Sequence, residues 1–281
     1  MYFCFLNLFP KINLMLAIKK IFILKNKTDF CKSAAIDYLR FIFIKNFDTT
    51  LFQNHMLHHL INLVFPKICA GCKGVLLEAE QTICVSCRHK MPVTNHFIDF
   101  ENDAFKIFYG RLDVAFVAAL FYFQKQSLVQ EMIYSLKYRG NQKVGNILGL
   151  WVGAKLKCLE ICKTFDYIIP VPLHQRKYRK RGYNQLTTFG MALSETIFVA
   201  YDDSILKRNI YSQSQTKKSL NNRNVLQSAI FEATFDESHH NKHFLIIDDV
   251  LTTGATIEGC AKALQKIPGA KISVVCMAYT H

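Results

Sequence analysis

No run of about 18 or more consecutive apolar residues, the length a membrane-crossing helix needs, occurs in these 281 residues. The most apolar stretch, the opening MYFCFLNLFPKINLMLAIKKIFILK, is broken by Lys11, Lys19 and Lys20. It has neither a charged start nor a small-residue cleavage site, so it makes a poor secretory signal. Cysteine is sparse except in one place. Of ten, four form two C-x2-C pairs between Cys69 and Cys87; Cys4, Cys31, Cys158, Cys162, Cys260 and Cys276 follow no framework spacing. That excludes a disulfide scaffold and makes the cytoplasm the expected location. No Gly-Lys-Ser/Thr follows the glycine-bearing turn near the C-terminus, and G-x-G-x-x-G is missing, which excludes a Walker loop and a dinucleotide fingerprint. There is no internal repeat.

Basic residues are plentiful. Lys and Arg exceed Asp and Glu by 35 to 21, a formal charge of +14. This balance suits phosphorylated metabolites, nucleic acid or an anionic membrane, and composition alone does not choose. Residues 1–55 differ from the rest, holding 9 of the 23 Phe with no clear period or cap. We read them as a mis-annotated or disordered extension, with translation starting at Met56. The rival reading is an amphipathic anchor at a membrane surface.

From residue 56 the chain organises itself. Residues 57–64 suit a short helix, and with the cysteine pairs they make a first module over 56–95. A second domain is expected over 110–281. There, VAFVAALFYF (114–123) reads as a buried strand. Helices are expected over 126–138, ended by Gly140, and over 144–159. Further strands are expected over 167–171, 244–247 and 271–278, with helices over 185–198 and 254–267. Strands separated by helices imply an α/β fold, with a parallel sheet flanked by helices and right-handed crossovers.

One run carries the chemistry: FLIIDDVLTTGAT, Phe244 to Thr256. An apolar strand delivers Asp248 and Asp249 to the carboxyl edge of the sheet, where open α/β sheets bind ligands. A turn of Thr and Gly then opens a helix. Its inward backbone N–H groups and the helix N-terminus hold a phosphate without a lysine. Thr252, Thr253 and Thr256 add hydroxyls, and Gly254 lets the backbone approach closely. Carboxylates beside a phosphate make sense if they accept hydrogen bonds from a sugar diol or hold Mg²⁺ directly or through water. The bland alternative is two acids that end a strand and cap a helix.

DDVLTTGAT resembles the phosphoribosyl-pyrophosphate (PRPP) motif of type I phosphoribosyltransferases. The resemblance implies that Asp248 and Asp249 contact the ribose hydroxyls, and that Asp248, Asp249, Val250, Leu251, Thr252, Thr253, Gly254, Ala255 and Thr256 form the PRPP site. It also implies Mg²⁺, held indirectly at the two aspartates.

A second constellation, DYIIPVPLHQRKYRKRGYNQ (166–185), places Arg176, Lys177, Arg179, Lys180 and Arg181 after a strand and before Gly182. A pyrophosphate leaving group needs such charge nearby. The alternatives are a solvated basic loop and a nucleic-acid contact with Tyr178 and Tyr183 stacking on bases. PVPLH followed by RGYNQ resembles the ComF family, competence-type proteins with an N-terminal zinc ribbon and a phosphoribosyltransferase domain. The resemblance covers roughly Met56 to the C-terminus. It implies Lys180, Arg181 and Gly182 as the pyrophosphate loop, with Arg181 catalytic beside Asp248 and Asp249. It also implies transfer of phosphoribosyl to a nitrogen nucleophile, or a non-catalytic accessory that grips single-stranded DNA and senses PRPP. A DNA-uptake ATPase is a further implied partner. The polar run Lys207–Phe231 reads as a lid, in which Arg208, Gln215, Arg223 and Asn224 match the family loosely.

The cysteine spacing is a strong zinc-ribbon signal: Cys69-x2-Cys72, eleven residues, then Cys84-x2-Cys87. Two knuckles complete a tetrahedron of thiolates, and four thiolates leave no open position, so the zinc is structural. A redox C-x-x-C is the rival. His89 and His96 read as bystanders.

Overall fold

The computed structural model describes residues 62, 63, 65–208 and 230–280. The expected extension 1–55, Met56, nearly all of the expected helix 57–64, and Gln215, Arg223 and Asn224 of the polar run lie outside the described residues. The chain divides into two units, one of Pro66–Lys137 with Asn141–His281 and the other of Met1–Phe65 with Tyr138–Gly140. The following description concerns the first.

The described helices are α1 (Val85–Lys90), α2 (Asp103–Lys106), α3 (Leu128–Tyr138), α4 (Gln142–Leu156), α5 (Gln175–Arg181), α6 (Leu186–Ile197) and α7 (Ala255–Leu264). The strands are β1 (Phe116–Phe123), β2 (Tyr167–Pro170), β3 (Ala200–Tyr201), β4 (Leu206–Arg208), β5 (Phe231–Ala233), β6 (His243–Leu251) and β7 (Lys271–Thr280). Five strands form one sheet in the order β1-β7-β6-β2-β3, and every pairing in it is parallel. β6 and β7 are buried over nearly their whole length, which is why they read as apolar runs without alternation. β4 and β5 pair antiparallel in a separate ribbon. This is the α/β architecture expected.

Local chemistry explains where element boundaries differ from the periodicity. The helix expected from residue 126 starts at Leu128, because Gln126 is left-handed (φ 58°). The Ser127 hydroxyl then accepts from the Gln130 amide at 3.2 Å, as an N-cap does. The helix expected over 144–159 ends at Leu156, and a 3₁₀ turn follows over Glu160–Thr164. α4 lies unusually close to α6. A Cβ on Gly149 would stand 2.4 Å from the Phe189 carbonyl oxygen, so only glycine permits this approach.

The segment between the cysteines and β1 is bound to β1 itself. Val93 pairs antiparallel with Phe121. The Thr94 amide donates to the Leu120 carbonyl at 3.0 Å, and the Tyr122 amide donates to Pro92 at 2.8 Å. Asn102 donates to the Val117 carbonyl at 2.9 Å. His96 is buried, and its Nδ1 accepts from the Ala119 amide at 3.3 Å.

Candidate functional site

β6 is buried up to Ile247, and its carboxyl end brings up the two acids: Asp248 half-buried, Asp249 buried. The Asp248 carboxylate accepts from the Asp249 amide at 2.8 Å. Burial pushes the Asp248 carboxyl up to about 7. The Asp249 charge adds to this, while that amide, Lys137 and Lys177 pull the other way. Each oxygen of Asp249 has a partner. One oxygen meets Lys137 Nζ at 2.7 Å. The other accepts from Gln185 Nε2 at 2.7 Å. Gln185 in turn accepts from the Arg181 guanidinium at 2.5 Å, and both side chains are buried.

The Thr-Gly turn follows directly. Asp248, Val250, Leu251, Thr252, Thr253, Gly254, Ala255, Thr256 and Ile257 line one small cavity of about 40 Å³. Thr252, Thr253 and Thr256 are exposed. Gly254 takes φ +73°, and a Cβ there would press within 2.8 Å of the Phe108 ring. Two independent constraints therefore require glycine. From behind, Arg111 donates to the Thr253 carbonyl at 3.0 Å. The same guanidinium pairs with Glu258, which is buried and also accepts from Lys262 at 2.6 Å. With that carbonyl held on the far side by Arg111, the turn is fixed on the strand–helix junction that opens α7.

The basic run is not a loop. Residues 175–181 form α5, whose N-cap His174 accepts from the Arg176 amide and whose end is set by left-handed Gly182. Helical winding separates the five basic residues. Arg176, Lys177, Arg179 and Lys180 are exposed, whereas Arg181 turns inward to Gln185. Tyr183 is also unlike the expected stacking platform. It is half-buried, its hydroxyl donates to the Leu136 carbonyl, and burial raises its pKa. That bond caps a carbonyl at the end of α3 and carries Lys137, the next residue, to Asp249. Tyr178 is exposed.

Sequence reasoning thus named Asp248, Asp249, Arg181 and the loop, and the fold brings them to one edge. It missed Lys137, Gln185 as a bridge, and Arg111 with Glu258. Gln185 had a signal, as the last residue of RGYNQ. Lys137 and Arg111 had none, because single basic residues on helices and turns are commonplace.

The four expected cysteines also converge. The Sγ atoms of Cys69, Cys72, Cys84 and Cys87 all lie within 4.8 Å of one another, and Cys72 and Cys84 are 3.8 Å apart. Zinc–sulfur bonds of about 2.3 Å in a tetrahedron put sulfurs about 3.8 Å apart. Amides point at the sulfurs: Gly71 and Cys84 to Cys69 at 3.4 and 3.3 Å, Gly74 to Cys72 at 3.4 Å. Burial opposes ionisation of Cys69, but the amides of Cys84, Cys72 and Gly71 bring its thiol down to about 7. Burial drives the Cys87 thiol up. The donor set fits a structural zinc. His89 and His96 are not among the clustered ligands. Among the described residues no helix is long and apolar enough to cross a membrane.

No family model matches the chain. Relatives do. DNA utilization protein YhgH of Escherichia coli O157:H7 is 28% identical over 159 residues, covering 53% of this chain and 66% of that protein. Competence protein F of Haemophilus influenzae is 31% identical over 113 residues, 40% of this chain and 49% of the relative. Competence protein ComFC of Bacillus subtilis is 24% identical over 208 residues, 74% of this chain and 82% of the relative. Among solved structures, adenine phosphoribosyltransferase from Leishmania tarentolae overlaps 65% of this chain and 89% of its own, at 9% identity and a TM-score of 0.32. An overlap of that quality decides nothing, and the fold is read from the strand order and the loop at its edge. Parallel sheet, acidic pair, Thr-Gly turn, RGYNQ and four clustered cysteines occur together in a chain whose relatives carry competence names. These relatives support the reading of a ComF-type protein, and the parallel sheet flanked by helices with an N-terminal four-cysteine cluster agrees with it.

Proposed function

We propose that this protein binds PRPP, or a related ribose phosphate, at the carboxyl edge of β6, and that it serves DNA uptake. One observation supports this above the others: the half-buried Asp248 and the turn 251–256 line a single cavity. Phosphate at the turn and a ribose diol at Asp248 fit that order. On this reading Mg²⁺ is held at the acidic pair through the ligand or water, and at Asp249 each oxygen already has a partner in Lys137 or Gln185. When bound, it would neutralise pyrophosphate charge. The protein's own contribution to transfer would be positioning and charge placement. Arg181 would act from the buried end of the Asp249–Gln185 chain. The role in uptake rests on the relatives named for competence and DNA utilization.

Calorimetry with PRPP and Mg²⁺ tests the reading. Saturable binding is expected, and its absence in protein with intact metal defeats it. Zinc at Cys69, Cys72, Cys84 and Cys87 is tested by metal analysis, with about one ion per chain expected.

A second reading has its own observation. α5 presents Arg176, Lys177, Arg179 and Lys180 to solvent, together with exposed Tyr178. This combination suits single-stranded DNA, with a non-catalytic PRPP site acting as sensor. Affinity for an oligonucleotide that falls steeply with salt is the expected mark. No affinity at low salt removes it.

A further inference from the structure

The two adjacent aspartates do not stand in equivalent surroundings. Asp248 lines the cavity of the phosphate turn, and Asp249 does not. Asp249 has both oxygens occupied, by Lys137 at 2.7 Å and by Gln185 at 2.7 Å. Gln185 leads on to buried Arg181. The Lys137 and Asp249 side chains are only 19% and 12% exposed. An ion pair so withdrawn from water is not a passing surface contact. Lys137 is held in place by its own backbone, because the preceding residue, Leu136, accepts the Tyr183 hydroxyl.

We infer that Lys137 is a positioning residue that gives the two carboxylates different tasks. It fixes Asp249 in the wall of the site, as the head of the Asp249–Gln185–Arg181 chain, and leaves Asp248 as the carboxylate that accepts the ribose hydroxyls. The inference rests on the ribose phosphate reading above. Its physical basis is charge. Carboxylate charge beside an incoming phosphate ester repels it. One internal ammonium offsets the charge of Asp249, so the ester binds without waiting for a divalent cation.

The test uses the full chain with its metal, ribose 5-phosphate as the probe, and calorimetry with and without Mg²⁺. In wild-type protein, Mg²⁺ is expected to change the affinity by less than about threefold. Lys137→Met should weaken binding about thirtyfold without Mg²⁺, the scale set by removing one partner of a buried charge pair. Added Mg²⁺ should recover most of that loss, because a cation then replaces the ammonium. Lys137→Arg keeps the charge and should stay within about threefold of wild type. Asp248→Asn should cost more affinity than Asp249→Asn. Zinc content and melting temperature guard against misfolding. If Lys137→Met does not fold, the two aspartate variants and Lys137→Arg still decide. Two results overturn the role of Lys137: a folded Lys137→Met variant that binds like wild type with and without Mg²⁺, or an Asp249→Asn loss that equals or exceeds the Asp248→Asn loss. Wild-type protein that binds no ribose 5-phosphate at all overturns the underlying reading instead.

Discussion

The two ends of β6 treat charge in opposite ways. At the amino end, Asp166 accepts from Lys242 Nζ at 3.0 Å and from the His243 amide at 2.8 Å. Burial raises the Asp166 carboxyl, but these two partners outweigh it and hold it below the usual range. His243 is buried with a partner on each ring nitrogen, Thr164 at 2.9 Å and Ser273 at 2.8 Å. Toward the carboxyl end of the same strand, burial pushes Asp248 up to about 7. Burial acts at both ends. What differs is whether partners are supplied. A polar cluster whose bonds are complete holds the fold together. One left incomplete beside a cavity is a place for a ligand.

This contrast can be broken by substitution. Asp248→Asn should cut ribose 5-phosphate affinity by tenfold or more, on the order of a lost charged hydrogen bond. The same change should raise the melting temperature by about 2–4 °C, since it removes a charge the fold holds at a cost. Calorimetry and a thermal scan measure both, and an Asn variant that melts lower would erase the distinction between the two ends. A smaller effect is expected from Arg111→Ala. It leaves buried Glu258 with Lys262 alone and releases the Thr253 carbonyl. Denaturant unfolding should show a loss of about 1–3 kcal/mol, with weaker ribose 5-phosphate binding. Unchanged affinity would mean that the turn holds its shape unaided.

The smallest effect belongs to the amino end. The Asp166 carboxyl is lowered in the folded chain, so its stabilisation is present above the unfolded value of about 3.9 and is lost as pH falls through the folded value. Asp166→Asn should therefore be less stable at pH 7 by about 1 kcal/mol or less, the range for a partly exposed pair. The deficit should close toward pH 3. A deficit that stays constant with pH would show that packing, not charge, carries the contribution.

Much of this contrast was legible in the residue order. FLIIDDVLTTGAT contains a buried strand, an acidic pair and a turn whose glycine has no substitute, and each depends on neighbours a few residues away. The four cysteines were legible for the same reason. What was not legible depends on distant pieces of chain. Lys137 reaches Asp249 across more than a hundred residues, and Arg111 reaches Glu258 across 147. No local pattern marks either. α5 was missed because a run of five basic residues carries no apolar period, yet left-handed Gly182 and the His174 cap define its ends. Tyr183 looked like a platform for bases because its type allows it; only its burial shows that it ties α5 to α3.

The strip from Pro92 to Thr94 has a consequence of another kind. β1 is one of the two outer strands of the sheet, and an outer strand is an open template for another chain. Here the strip pairs with it, and Asn102 takes one further carbonyl. The strip continues directly from α1, whose residue Cys87 is the last of the four cysteines. Thiol chemistry and edge protection therefore share one short tether. Protein whose sulfur cluster is dismantled should fail first by self-association through β1, and clouding should precede any loss of the central sheet.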